Sequence, residues 1–299
     1  MAAMKRKDKL DAIGTVMLSV MTLVMALNQV VIKLTNGGFQ PVFGAGLRSL
    51  GALLVLLVWI KLRRIHLPIP SRRVALSGLI TGGLFTAEFI CLFWALDLTT
   101  VARATIIFYT MPVYVTLAVH FLLPSERLTA VKMLGLMLAL GGVIWVLFDR
   151  SNGTGSLLGD LAALAGAILW GSILLMVRLS PLSGEKAEVQ LLWQLAVSAG
   201  MLLVVSPLFG PLLRQPELVH YLGLLYQILA VASFGFLAWF ALVKIYPATS
   251  VASFGFLTPV CSVAFGWIIL KEQVGFEVVG GLALVVIGLI LVNRKPKEG

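Results

Sequence analysis

The chain has 299 residues, 60% of them hydrophobic and 12% charged, with a formal net charge of +10. A soluble domain carries roughly twice that share of charge, so composition excludes an ordinary water-soluble enzyme or binding domain. The positive charge sits at the chain ends and between apolar runs, which argues against nucleic acid as a partner and for the lipid bilayer.

In chain order the apolar runs predict ten helices: Asp11–Lys33, Val42–Lys61, Val74–Asp97, Ala102–Leu123, Ala130–Phe148, Leu157–Leu179, Val189–Phe209, Val219–Ile245, Ala248–Leu270 and Phe276–Asn293. Each is close to the ~20 residues that cross a hydrocarbon core. A β-barrel would instead show shorter, alternating segments. The connections are short and carry turn chemistry, as in Asn36-Gly37-Gly38, Pro68-Ile69-Pro70, Ser151-Asn152-Gly153 and Pro181-Leu182-Ser183-Gly184. The fold class is therefore all-α and polytopic. The first run is of span length and lacks a small-x-small cleavage site, so it is read as a retained helix.

Alternating the loops from an inner start places 17 Lys and Arg inside and five outside: Lys33, Arg103, Arg150, Arg214 and Lys271. Arg48 lies within a span. This is the asymmetry of the positive-inside rule, and it predicts ten spans with both termini cytoplasmic.

Two halves repeat. Phe93-Trp94-Ala95-Leu96 matches Trp239-Phe240-Ala241-Leu242. Tyr109-Thr110-Met111-Pro112 matches Phe256-Leu257-Thr258-Pro259, and Glu126-Arg127-Leu128 matches Glu272-Gln273-Val274. Gly135 and Gly142 match Gly281 and Gly288. The domains are thus residues 1–150 and 151–299, five spans each. Five is odd, so the second half enters the membrane from the opposite side. Such inverted repeats recur in secondary transporters, with the substrate at their interface.

This layout resembles the drug/metabolite transporter superfamily, in particular its ten-span EamA-type members. The matching features are Arg48 in PVFGAGLRSLGALL, the Tyr109–Pro112 motif followed by Glu126, and Thr258-Pro259 followed by Glu272. Within that family the chain is most similar to bacterial exporters of neutral and aromatic amino acids. The resemblance implies a multi-pass protein of the bacterial inner membrane with an amino acid or related metabolite as its small-molecule partner and net flow outward.

The heptapeptide VASFGFL occurs at Val231–Leu237 and again at Val251–Leu257, but the two copies do not align between the halves. Its small Ser and Gly residues let helix backbones approach in lipid. Its aromatic residues, including Phe234 and Phe254, either fill space or line a pathway.

Polar groups inside spans suggest function, because a mid-bilayer charge costs roughly 2.5–3.5 kcal/mol or more. Glu88, in TAEFICLFWAL, is the acid that falls deepest, and its counterpart is Phe234. It either carries a coupling proton or substrate amine, or fixes neighbouring helices. Arg48 pairs with Gln194 and lies in the outer third of its helix, where its stem is expected to snorkel to the interface. Asn28, Gln29, Gln194 and Gln227 offer neutral hydrogen bonds to a substrate or between helices. Tyr109 and Trp170 fall deep enough to line a cavity. Pro112 and Pro259 each free a backbone carbonyl and form a matched pair of hinges or fixed kinks.

The candidate substrate-binding set is therefore Asn28, Glu88, Tyr109, Trp170, Gln194, Gln227, Phe234 and Phe254, with Pro112 and Pro259 as gating residues. His66, His120 and His220 are too scattered for a metal site, and Cys91 and Cys261 lack metal or disulfide spacing. No phosphate-binding loop or hydrolase motif appears, so no cofactor and no enzymatic activity are expected. The function expected is alternating-access export. The same fold would also serve multidrug or nucleotide-sugar transport, and a channel or membrane enzyme is the remaining class. Oligomeric state is left open, a monomer included.

Overall fold

The computed structural model describes residues 10–67, 69–122, 128–148, 155–246 and 254–293. Among these, the α-helices are α1 (Ala12–Gly38), α2 (Pro41–Leu62), α3 (Arg72–Leu98), α4 (Val101–Phe108), α5 (Met111–Leu122), α6 (Ala130–Phe148), α7 (Leu157–Leu179), α8 (Ala187–Val205), α9 (Leu218–Tyr226), α10 (Phe234–Ile245), α11 (Leu257–Leu270) and α12 (Phe276–Val292), and an isolated antiparallel bridge joins Phe39 to Leu213. A π-helical segment, Gln227–Ser233, joins α9 to α10. The predicted motif residue Glu126, the turn Ser151-Asn152-Gly153 and the start of the second VASFGFL copy lie outside the described residues.

Taken with their continuations, eight helices among the described residues are long and apolar enough to cross a bilayer, α4 with α5 counting as one; α11 and α12 are shorter and apolar. Side-chain caps start several of them. Asp11 Oδ1 accepts from Gly14 N at 2.8 Å, Gln40 Oε1 from Phe43 N at 2.6 Å, and Ser71 and Ser156 act alike.

Two predicted features are corrected. Asn36-Gly37-Gly38 was expected as a turn, yet α1 runs through it. The glycines are needed for close approach: a Cβ on Gly38 would sit 2.4 Å from the His220 ring. Asn36 spends its amide on the Phe93 carbonyl at 2.8 Å. The fourth predicted helix is not continuous either. It breaks at Tyr109-Thr110, because Pro112 has no N–H to return to the Phe108 carbonyl.

The order of contacts along each helix pair gives its direction. A Cβ on Gly135 would meet the Gly288 carbonyl at 2.7 Å, and one on Gly142 the Gly281 carbonyl at 2.7 Å. Numbers rise on α6 as they fall on α12, so these helices are antiparallel with backbones in contact. Gly159 meets Thr99 and Gly166 meets Cys91, which makes α7 antiparallel to α3. Gly14 against Tyr246 and Gly38 against His220 give the same relation between α1 and the α9–α10 run. By contrast, Gly78 faces Trp193 and Gly82 faces Val197, so α3 and α8 are parallel. The core runs along these seams through Phe85, Phe93, Ile106, Ile107, Leu191 and Leu195. A smaller cluster of Leu18, Met21, Leu242 and Tyr246 lies apart.

Gly141 and Gly142 separate packing from propensity. A Cβ on Gly141 meets nothing within 4 Å. Gly142→Ala is expected to lower stability by about 1–3 kcal/mol through overpacking, whereas Gly141→Ala should leave it unchanged or raise it by up to about 1 kcal/mol. Thermal unfolding in detergent measures both, and equal effects would refute the backbone contact.

Candidate functional site

Buried polar atoms without partners mark the middle of the bundle. Glu88, on α3, is 0% exposed, and neither carboxylate oxygen has a hydrogen-bond partner. Arg48, on α2, is 4% exposed. Its guanidinium lies 4.7 Å from the Phe89 ring centroid and 5.7 Å from that of Phe93, with Nε unpartnered. The expectation that Arg48 snorkels is thus corrected: the aromatic faces of α3 hold the cation inside the bundle. Arg48 is the cation whose field reaches Glu88, yet neither Glu88 oxygen hydrogen-bonds to it.

An aromatic wall runs from this pair to the broken helix. Phe85 stacks on Phe89 at 4.2 Å, Trp170 of α7 packs on Phe85 at 6.4 Å and on Phe108 at 6.3 Å, and Phe108 meets Tyr109 at 5.9 Å. Tyr109 ends α4 and turns its hydroxyl toward the side chains of Gln29 and Thr258. Oδ1 of Asn28 and Oε1 of Gln29 are buried without partners. Gln227 is fully buried at the start of the π segment; its Nε2 donates to Thr35 Oγ1 at 2.9 Å and its Oε1 is unpartnered.

Not every candidate joins this set. Phe234 is 56% exposed. It was placed opposite Glu88 by matching the halves as regular helices, but the π segment precedes it. Widened turns shift the face on which later residues fall, so Phe234 leaves the centre. Phe254 packs with the small cluster around Leu18 and Met21, and its carbonyl accepts from Thr22 Oγ1 at 3.1 Å. Gln194 is half-buried on α8. Pro112 and Pro259 each sit in the first turn of a helix, α5 and α11, just after a break at Tyr109-Thr110 and Phe256.

Sequence reasoning passed over one buried pair. Asp160, in the first turn of α7, is 0% exposed; it takes Arg103 Nη2 at 2.7 Å and Thr99 Oγ1 at 2.9 Å, while Arg103 also donates to the Val146 carbonyl. A lone acid opening an apolar helix was the available signal. Unlike Glu88, it is fully engaged.

The model of the EamA-like transporter family matches twice, over residues 12–148 and 157–294. The chain belongs to the EamA-like transporter family. This EamA-like transporter is 26% identical over 284 residues to the Bacillus subtilis (strain 168) protein described as "Uncharacterized transporter YoaV", covering 90% of this chain and 93% of that one. A second B. subtilis relative, "Uncharacterized transporter YetK", is 26% identical over 269 residues, covering 86% and 80%. A solved crystal structure shares the fold with a TM-score of 0.67 at 21% identity, over 94% of this chain and 96% of that chain. The protein is accordingly a multi-pass membrane transporter of small molecules.

The two buried acids of this EamA-like transporter give opposite forecasts for the same chemical change. Glu88→Gln replaces a buried acid whose oxygens have no partner, so thermal stability is expected to hold or rise. Asp160→Asn strands the Arg103 guanidinium, so a loss of about 3–5 kcal/mol is expected. Parallel melting curves in detergent decide it; a comparable loss in both would show that Glu88 is a structural anchor.

Proposed function

We propose that this protein is a secondary carrier of neutral and aromatic amino acids, working by alternating access between two inverted five-helix halves, residues 1–150 and 151–299. In this reading ten spans cross a bacterial inner membrane, both termini are cytoplasmic, and net flow is outward. The antiparallel seam between α6 and α12 supports it, since those helices are matched by the repeat and would be parallel in an uninverted one. The matched breaks at Tyr109-Thr110 and Phe256 support it too.

One observation carries the substrate class: a buried carboxylate and a buried guanidinium that do not satisfy each other. Two opposite charges close enough to interact normally collapse into a bidentate pair. Held apart, they suit a ligand that carries both charges, with its carboxylate at Arg48 and its ammonium at Glu88. The wall of Phe85, Phe89, Phe108 and Trp170 then takes an apolar or aromatic side chain. Asn28, Gln29, Tyr109 and Gln227 supply neutral hydrogen bonds. A lipophilic cation is disfavoured, because Arg48 repels it, and a nucleotide-sugar would need more than one deep cation.

The test uses purified protein in liposomes, a labelled panel of amino acids, and a pH gradient present or absent. Saturable uptake of Phe, Met or Thr is expected, with Asp and Lys moving poorly. Arg48→Gln and Glu88→Gln should each lower uptake at limiting substrate by about 10–100-fold, the scale of a lost charged hydrogen bond of about 1.5–3 kcal/mol. Transport of a lipophilic cation or a nucleotide-sugar with no amino-acid signal would overturn the reading.

A further inference from the structure

The connection from α8 to α9 is more apolar than a loop between two spans needs to be. Residues 206–213 read SPLFGPLL, without a charge. Leu208 is 83% exposed, Leu213 57% and Phe209 38%. Apolar side chains that stand out from the protein cost free energy in water and none in lipid, so this connection belongs against the bilayer. Trp94 of α3, about one turn before that helix ends, sits beside it, at the level where Trp residues form the interfacial belt.

The connection is also fixed in shape. Ser206–Phe209 forms a 3-10 turn, and Gly210 then turns the chain at φ +104°, in a region that is open to glycine and strained for other residues. Beyond it the backbone is tied to the turn between α1 and α2. Gln40 N donates to the Leu212 carbonyl at 3.0 Å, and Arg214 N to the Gly38 carbonyl at 2.8 Å. Phe209 is thereby set edge-on to Trp94, with ring centroids 6.1 Å apart. A cavity of about 380 Å³ lies between this connection, the start of α2 and Trp94, with Leu208, Phe209 and Arg214 in its wall. That volume is at the lower end of the roughly 300–1,000 Å³ of ligand clefts.

Arg214 gives the cavity its chemistry. Its hydrogen bonds to described residues all leave from Nη1, to the Asn36 carbonyl at 3.2 Å and to Asp97 Oδ1 and Oδ2 at 2.8 and 3.1 Å. The opposite edge, Nε and Nη2, donates to no described residue, and the side chain is 40% exposed. That edge is the fork whose two parallel N–H bonds fit a phosphate or a carboxylate. Asp97 is part-exposed too, and a carboxylate has about four acceptor sites, so it keeps room for a donor cation. Together the two residues carry no net charge, which suits a ligand bearing both charges better than a simple anion.

We propose that this cavity is a headgroup site for a phospholipid carrying a phosphate and a primary ammonium, as phosphatidylethanolamine does. The phosphate takes the Nε–Nη2 edge of Arg214, the ammonium takes Asp97, and the acyl chains run over Leu208 and Leu213. Trp94 and Phe209 pack at the level of the glycerol. A free amino acid has the same two charges, but it gives the exposed Leu208 and Leu213 no partner. The bound lipid joins the two halves, since Arg214 belongs to the second and Asp97 and Trp94 to the first. With cytoplasmic termini, as in the function proposed above, the lipid comes from the outer leaflet; the site itself stands independently of that function.

Native mass spectrometry of the purified full-length protein tests it. Protein in detergent micelles is mixed with phosphatidylethanolamine, phosphatidylcholine or phosphatidylglycerol of the same acyl chains, and the lipid retained per chain is counted over a concentration series. A single phosphatidylethanolamine should stay on each chain at concentrations where the other two headgroups are lost, and added phenylalanine should not displace it. Arg214→Lys keeps a cation for Asp97 but removes the fork, so half-occupancy should need about tenfold more lipid, the scale of a lost charge-assisted hydrogen bond. Leu208→Asn, at a position too exposed to matter to folding, should weaken retention severalfold through lost acyl contact. Equal retention of the three headgroups would mark ordinary annular lipid and overturn the proposal. Unchanged retention in either variant would overturn it as well, and so would displacement by phenylalanine, which would mark a station for the free amino acid.

Discussion

A bilayer offers no hydrogen bonds to a helix, so each interruption of the backbone ladder has to be satisfied inside the protein. The fold of this EamA-like transporter is shaped by that constraint. Regular helices pack through glycine seams, and among the described residues the spans carry irregular backbone at Tyr109-Thr110, at Phe256, in the π segment Gln227–Ser233 and in the 3-10 turn Ser206–Phe209. At the first, Thr110 Oγ1 returns to the Ile107 carbonyl at 2.5 Å; in the π segment, Ser233 Oγ returns to the Ile228 carbonyl at 2.7 Å. These places gather the polar side chains Tyr109, Gln29, Thr258 and Gln227. Irregularity and chemistry coincide because backbone that leaves the ladder needs polar company.

Charges divide the same interior into two kinds of site. Arg103 and Asp160 satisfy each other so fully that removing either leaves a costly orphan. Glu88 and Arg48 are as deeply buried and do not bond to each other. The first arrangement stabilises the fold. The second leaves polar atoms of both groups without partners, and the Phe89 and Phe93 faces offset part of the cost for Arg48; the proposed function gives this pair a ligand between them.

Much of this was legible in the residues. Helix existence followed from run length, because nothing but lipid solvates such runs, and the doubled Gly135/Gly142 and Gly281/Gly288 pattern falls on the α6–α12 seam. Glu88 stood out because an acid in an apolar run has few excuses. Arg48 was placed by its position along the helix, but which way it points depends on Phe89 and Phe93, residues on another helix. Phe234 was misplaced because a π turn has no sequence signature in a run of small and apolar residues. The Gly37-Gly38 pair reads as a turn until His220 is seen against it. The misses at Arg48 and Gly37-Gly38 were tertiary facts, decided by neighbours distant in sequence, whereas the one at Phe234 was a local change of helix type.

In the proposed function the unbonded pair of Glu88 and Arg48 is a receptor for a molecule bearing both charges. Ligand-induced stabilisation tests it most directly, since only a ligand that binds the folded state raises the melting temperature. Purified protein should melt higher with phenylalanine, but not with phenethylamine or hydrocinnamate, which keep the ring and one charge each. Equal shifts with either single-charge analogue would contradict it.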